Sequence, residues 1–408
     1  MLGLVLTAGG ARGAYQAGVL KRVGELAGLR DRPLPFQIVT GASAGAINGA
    51  MVAARSASFT EATQLLARLW GGLRVDDVFR TDAWSLAAGA AGLVRDVLLG
   101  SLLGRTVTQS FFDAAPLCAL VARHFDACGV ADAIAAGRLY ALAITATSYH
   151  SGRCYTFVQG RRGHPVWTRS RRVVLPVDIG PDHICASAAI PLVFPPVRVR
   201  SVAGDLYFGD GGLRLVAPFS PAIRLGARRV LAIGIRSQRA AESLSREELA
   251  VAEEAGLPGP TIGCPPLAQI CGVFLNAIFL DHLDADLDHL HRMNELVLEY
   301  EQSGEVASPD RVTAPMRFVE PLVVTPSEDL ALVAQRFAHR MPRLVRYLME
   351  GFGTPDAQSA DLMSYLLFDA AYTRALVDIG YRDADRRADE IEAFLRVADD
   401  PATARSAS

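Results

Sequence analysis

The chain has 408 residues, 50% of them apolar and 21% charged, a globular composition that excludes a disordered or collagen-like chain. Its length suits two or three domains. Lys and Arg total 41 against 43 Asp and Glu, so a formal charge of -2 leaves no bulk field to attract nucleic acid.

Leu2–Leu6 is a continuous apolar run that ends at a glycine turn, and it reads as a buried parallel strand. Residues 14–29 show helical spacing, with Tyr15, Val19, Leu20, Val23 and Leu26 on one side. A turn at 31–35 leads to a second strand at 36–40 and a second helix of small residues at 44–55. This alternation predicts an α/β fold with a mainly parallel sheet. Residues 58–104 read as mostly helical. Strands are expected at 139–148 and 154–159, around a Ser151-Gly152 turn, and at 229–235. From Ser245 helical patterns dominate, at 247–255, 267–300, 327–349, 362–379 and 384–397, interrupted by one strand-like run at 318–324. The expected organisation is an α/β body over 1–236, a mainly helical extension packed on it over 246–398, and a flexible tail over 399–408.

Six cysteines (Cys118, Cys128, Cys154, Cys185, Cys264 and Cys271) form no C-x-x-C pair and are too sparse for a disulfide scaffold. A reducing, cytoplasmic compartment is the expectation. The opening residues have no basic n-region and no cleavage site, so no signal peptide is expected. Residues 255–280 are uncharged, but Pro258, Pro260, Pro265 and Pro266 break their first half. The remainder is shorter than the ~20 residues of a spanning helix, so the chain is expected to be soluble or peripheral at a membrane surface.

Three stretches can carry chemistry. Gly41-Ala42-Ser43-Ala44-Gly45 is a G-x-S-x-G sequence between a strand and a helix, the context of a nucleophile elbow. A structural turn containing serine is the other reading. Gly9-Gly10-Ala11-Arg12-Gly13 follows the first strand, where successive amides can face an anion. As a dinucleotide fingerprint it lacks its first glycine, because position 8 is Ala8. As an oxyanion hole it would supply N–H donors beside a reacting serine. Asp210-Gly211-Gly212 follows a strand-like stretch at 205–208 and reads as a β-turn, or as a carboxylate base within reach of a hydroxyl. Residues 186–196 read as the packed end of a small-residue helix stopped by prolines.

The glycine loop at 9–13, the elbow at 41–45, Ala186-Ser187 leading to Pro191, and Asp210-Gly211-Gly212 resemble, in order and spacing, the patatin-like phospholipase family. The matching blocks span about residues 4–225, and Ala8 departs from a third glycine that many members carry. The resemblance implies a three-layer α/β/α fold with a helical C-terminal extension. It implies a Ser43-Asp210 dyad that hydrolyses fatty acyl esters of phospholipids or related lipids through an acyl-enzyme. It implies an oxyanion hole in the loop Gly9, Gly10, Ala11, Arg12 and Gly13, an elbow flanked by Gly41 and Gly45, and the supporting Gly211 and Gly212. No cofactor, no metal and no nucleic-acid partner are expected; the expected partner is a lipid substrate or membrane surface.

Other readings compete. An α/β-hydrolase triad would need a histidine such as His282. A binding protein could keep the fold without activity, though Ser43 and Asp210 are both present. His282, Asp284, Asp286, Asp288, His289 and His291 crowd one helix, with His282, Asp286 and His289 on one face, either as a metal site or as a solvated face. Arg161, Arg162, Arg169, Arg171 and Arg172 form a basic cluster that either meets lipid phosphates or is a solvated loop. Residues 84–104, almost all small or apolar, read as an apolar cover over the site or as a buried hairpin.

Overall fold

The computed structural model describes residues 1–80, 110, 112–169, 171–201, 204–237, 282–303, 316–341 and 357–396. The expected cover at 84–104, the helix at 247–255 and the tail at 399–408 lie outside the described residues.

Among the described residues ten strands form one sheet. They are β1 (Leu2–Leu6), β2 (Ile38–Ala42), β3 (Ala141–Ser148), β4 (Cys154–Gly160), β5 (Thr168–Arg169), β6 (Arg172–Pro176), β7 (Val197–Ser201), β8 (Gly204–Gly209), β9 (Arg229–Ile233) and β10 (Glu320–Val324). The order is β10-β9-β1-β2-β3-β4-β6-β5, and the β7–β8 hairpin joins through β8 to the end of β3. The five strands from β10 to β3 run parallel. Side chains alternate between two cores. Leu4, Leu6, Leu142, Ile144, Leu231 and Ile233 enter one, and Val5, Ala141, Ala143, Val230 and Ala232 enter the other. A period of two puts neighbours on opposite faces, and burial of both faces makes each strand read as an unbroken apolar run.

Helices cover the two faces. On the first lie α1 (Gly13–Gly24), α2 (Ala44–Ala54) and α3 (Phe59–Gly72), followed in the chain by α4 (Ala115–His124), α5 (Ala127–Ala135) and α6 (Pro181–Ala188). On the second lie α7 (Ser220–Leu225) and α8 (Leu283–Ser303), which bury Ala222, Leu225, Leu283 and Leu290. The result is a three-layer α/β/α fold with a mainly parallel sheet. A buried polar chain ties the first layer together. Trp70 donates to Asn48 at 2.7 Å, Asn48 donates to Gln16 at 3.0 Å, and Gln16 donates to the carbonyls of Thr7 and Ile233 at the ends of β1 and β9. In a dry interior such groups must be paired, so the chain fixes how α1, α2 and α3 sit on the sheet.

Among the described residues the helical C-terminal part beyond β10 contains α9 (Leu330–Arg336), α10 (Ala357–Leu366), α11 (Ala370–Arg386) and α12 (Ala388–Arg396). It is interleaved with the sheet, because β10 pairs in parallel with β9 from Glu320–Arg229 to Val324–Ile233. The Tyr15 hydroxyl on α1 donates to Asp383 on α11 at 3.2 Å. The helix expected at 362–379 is two helices. Asp369 accepts the amides of Ala371 and Tyr372 at 2.9 and 3.3 Å and starts α11 afresh. The helix expected from 327 ends at Arg336 and passes into a 3-10 turn at Ala338–Arg340. No described helix is long and apolar enough to cross a membrane.

Candidate active site

The site is built at the ends of β2 and β3. Ser43 connects β2 to α2 with φ 55° and ψ −126°, a left-handed conformation that a non-glycine residue adopts only when its surroundings impose it. The surroundings here are close backbone. A Cβ on Gly45 would stand 2.7 Å from the Thr7 carbonyl oxygen, and one on Gly41 would stand 2.8 Å from the Ala46 amide. Glycine at 41 lets the start of α2 turn back against the end of β2, and glycine at 45 lets α2 approach the end of β1. The turn pushes the Ser43 hydroxyl toward Asp210, which accepts its hydrogen bond through Oδ2 at 2.6 Å.

Asp210 follows β8 and is anchored on every side. Its amide donates to the Ala189 carbonyl at 2.8 Å, and its own carbonyl accepts from the Thr147 hydroxyl at 2.8 Å. Its Oδ1 accepts the Gly212 amide at 2.7 Å. Ser43 is 3% exposed and Asp210 4%. Burial pushes the Asp210 carboxyl from its ordinary 3.8 up to about 6, against the opposing hydrogen bonds from Ser43 and Gly212.

Ser187, near the end of α6, supplies a support that reading the sequence did not assign. Its hydroxyl accepts the Ser43 amide at 2.9 Å and donates to the Thr145 carbonyl at 2.5 Å. Tyr149 was also missed. It lies against Gly209, beside Asp210, and its phenol is pushed up to about 12 by burial and then by the Asp210 charge.

The glycine loop closes the other side. Gly10–Arg12 forms a 3-10 turn directly after β1. The Arg12 amide donates to the Gly9 carbonyl at 3.0 Å, and the Gly13 amide turns back on the carbonyls of Gly10 and Ala11. The loop touches both other motifs. A Cβ on Gly13 would stand 2.6 Å from the Ala44 Cβ, and one on Gly212 would stand 2.8 Å from the Ala8 Cβ. The methyl group at position 8 is therefore accommodated against Gly212. Gly10 and Ser43 line one cavity that is open at its mouth. The rest of its wall is almost wholly apolar and includes Ile47, Met51, Leu66, Val121 and Phe194.

A family model described as "Patatin-like phospholipase" matches residues 4–223. The chain belongs to the patatin-like phospholipase family. No curated protein matches the sequence. Among solved structures, a human GIVD cytosolic phospholipase A2 in complex with methyl gamma-linolenyl fluorophosphonate is 14% identical, with a TM-score of 0.42. The alignment covers 98% of this chain, which spans 59% of that one. VipD from Legionella pneumophila is 12% identical over 91% of each chain, with a TM-score of 0.27. The type III effector ExoU is 14% identical over 88% of this chain and 76% of its own, with a TM-score of 0.26.

The remaining sequence candidates have other surroundings. His282 leads into α8, on the opposite face of the sheet from α2. Asp286 on the same helix accepts the Phe219 amide at 2.8 Å and so holds the start of α7. Among the described residues no three His, Cys, Asp or Glu side chains are grouped as a metal site. His124, the last residue of α4, is the histidine that lines the cavity among the described residues. Arg161, Arg162 and Arg171 are exposed, and Arg172 donates to the Ser220 hydroxyl at 2.9 Å.

Proposed function

We propose that this patatin-like chain is a serine lipid acyl hydrolase of phospholipase A type, with Ser43 as nucleophile and Asp210 as its base. The observation that carries the reading is the 2.6 Å hydrogen bond from the Ser43 hydroxyl to a buried carboxylate whose pKa is raised to about 6. A base near the operating pH combines availability with driving force, and an ordinary aspartate is too weak.

The chemistry follows in two halves. Ser43 Oγ attacks the ester carbonyl carbon, and its proton moves to Asp210 Oδ2. The carbonyl oxygen becomes an oxyanion that accepts hydrogen bonds from the loop. The Arg12 and Gly13 amides are taken up by the Gly9, Gly10 and Ala11 carbonyls, and we assign the donor role to the amides of Gly10, which lines the cavity with Ser43, and Ala11 beside it. Collapse breaks the ester C–O bond, and the departing alcohol takes the proton from Asp210. A water then loses its proton to Asp210 as it attacks the acyl-Ser43 carbonyl. Departure of Ser43 Oγ, reprotonated by Asp210, releases the fatty acid. The apolar cavity beside Ser43 suits an acyl chain. The lipid substrate would be met at a membrane surface, without a cofactor or metal ion.

The test is fatty-acid release from phosphatidylcholine and phosphatidylglycerol vesicles, with Ser43→Ala and Asp210→Asn as controls. The reading requires release by the wild type and background release by both variants. Vesicle binding without release by the wild type would instead favour a catalytically silent lipid-binding protein.

A further inference from the structure

Arg12 is 2% exposed, one of the most deeply buried charges among the described residues. Its side chain leaves the glycine loop and enters α10, about 350 residues away in sequence. Nε donates to the Ser364 hydroxyl at 2.7 Å. A terminal nitrogen pairs with Asp361 Oδ1 and also donates to the Asp361 carbonyl at 3.4 Å. The guanidinium lies over the Tyr365 ring, 4.3 Å from its centroid. Gly10 itself, at φ +51°, sits so close to the Tyr365 carbonyl that a Cβ there would overlap it. The cluster is braced from behind. Tyr372 donates to the carbonyls of Leu330 and Ser364 at 3.2 and 3.4 Å, and Arg236, past β9, lies 3.6 Å from Asp361 Oδ2.

This arrangement leaves the Arg12 fork no freedom to reach a lipid headgroup. A planar guanidinium held by a carboxylate, a hydroxyl and a ring face is fixed in direction as well as place. What it fixes is the loop from which it springs, because the Arg12 amide closes the turn on the Gly9 carbonyl and Gly10 and Ala11 lie within that turn. α10 lies outside the residues 4–223 that the family model matches.

We infer that Asp361 and Ser364 of α10 are positioning residues for the oxyanion loop, acting through the Arg12 guanidinium. The inference rests on the reading of Gly10 and Ala11 as oxyanion donors. The C-terminal helices are then part of the working site, and the α/β body alone holds an unaligned donor pair.

The experiment uses the full chain carrying Asp361→Asn, Ser364→Ala, Arg12→Ala and the Arg12→Ala/Asp361→Asn pair. Three quantities are read: kcat and KM on a soluble short-chain p-nitrophenyl ester, the melting temperature, and amide hydrogen exchange over residues 9–13. A misplacement of about 1 Å at the reacting centre costs on the order of 10²-fold in rate. The expected result is a kcat loss approaching that size in Asp361→Asn, a smaller loss in Ser364→Ala, and KM within about twofold, as for an interaction made only in the transition state. Exchange should rise at residues 9–13 and stay unchanged over α2. The double variant should lose no more than Arg12→Ala alone. Wild-type kcat in folded Asp361→Asn, or additive losses in the pair, would overturn the inference. So would unchanged exchange at 9–13. If Asp361→Asn does not fold, Ser364→Ala decides on the same readings. If the wild type neither cleaves the ester nor reacts at Ser43, the functional reading has failed; the exchange data then still show whether α10 holds the loop.

Discussion

The Ser187 hydroxyl accepts the Ser43 amide at 2.9 Å and passes a hydrogen bond on to the Thr145 carbonyl at 2.5 Å. One side chain thereby joins the end of α6, the strained elbow and β3. The elbow's left-handed backbone has to be over-determined by its neighbours, and this is one of the restraints that does so.

Ser187→Ala leaves the buried Ser43 amide without this acceptor, at a cost of about 1–3 kcal/mol. A lower melting temperature and a reduced kcat are expected together, because the same bond serves stability and elbow geometry. Thermal unfolding and ester kinetics on the purified variant check both.

The raised pKa of Asp210 fixes the direction of two pH dependences. As a base it must be ionised, so kcat/KM should fall as the pH drops through about 6. For stability the sign is opposite. The folded state holds this proton more tightly than the unfolded chain, so its contribution is full below about 3.8 and is lost as the pH rises through about 6. Asp210→Asn should therefore be inactive yet at least as stable as the wild type at pH 8, with an upper bound of about 3 kcal/mol. Melting curves of both proteins at pH 5 and pH 8 read this difference directly.

Gly45→Ala tests the elbow without touching either reacting group. The added methyl meets the carbonyls of Leu6 and Thr7. Backbone cannot yield as a flexible side chain can, so loss of activity with a melting temperature lower by several degrees is expected. A fully active, equally stable variant would show that α2 does not need this approach to β1.

Met51 lies eight residues beyond Ser43 on α2, about 12 Å along the helix, and lines the cavity. Met51→Trp should shorten the accepted acyl chain. Cleavage of long-chain p-nitrophenyl esters should fall at least tenfold while the butyrate ester is cleaved at close to the wild-type rate.

Much of this site was legible in the sequence because its parts are local. Leu2–Leu6 is an apolar run and 36–40 a strand-like stretch, each bounded by turns, and the serine between Gly41 and Gly45 carries its context on both sides. Asp210 alone reads as a β-turn, and only the other three blocks single it out. The supports were not legible. Ser187 acts across 144 positions and Asp361 across 349, and nothing in either local stretch encodes the partner. β7 was missed although Val197-Arg198-Val199-Arg200 alternates with a period of two, because the prolines before it read as an ending. The break before α11 was missed because Asp369 acts as a cap through its own side chain inside an otherwise helical pattern.

The most direct test of the dyad is the site and rate of reaction with an alkyl fluorophosphonate, followed by mass spectrometry of the intact protein and its peptides. One adduct per chain is expected, on Ser43, with labelling slowed by at least about 10³-fold in Asp210→Asn, in line with loss of a base that acts as a unit with its nucleophile. An adduct on any other residue, or an Asp210→Asn variant labelled at the wild-type rate, would contradict the account.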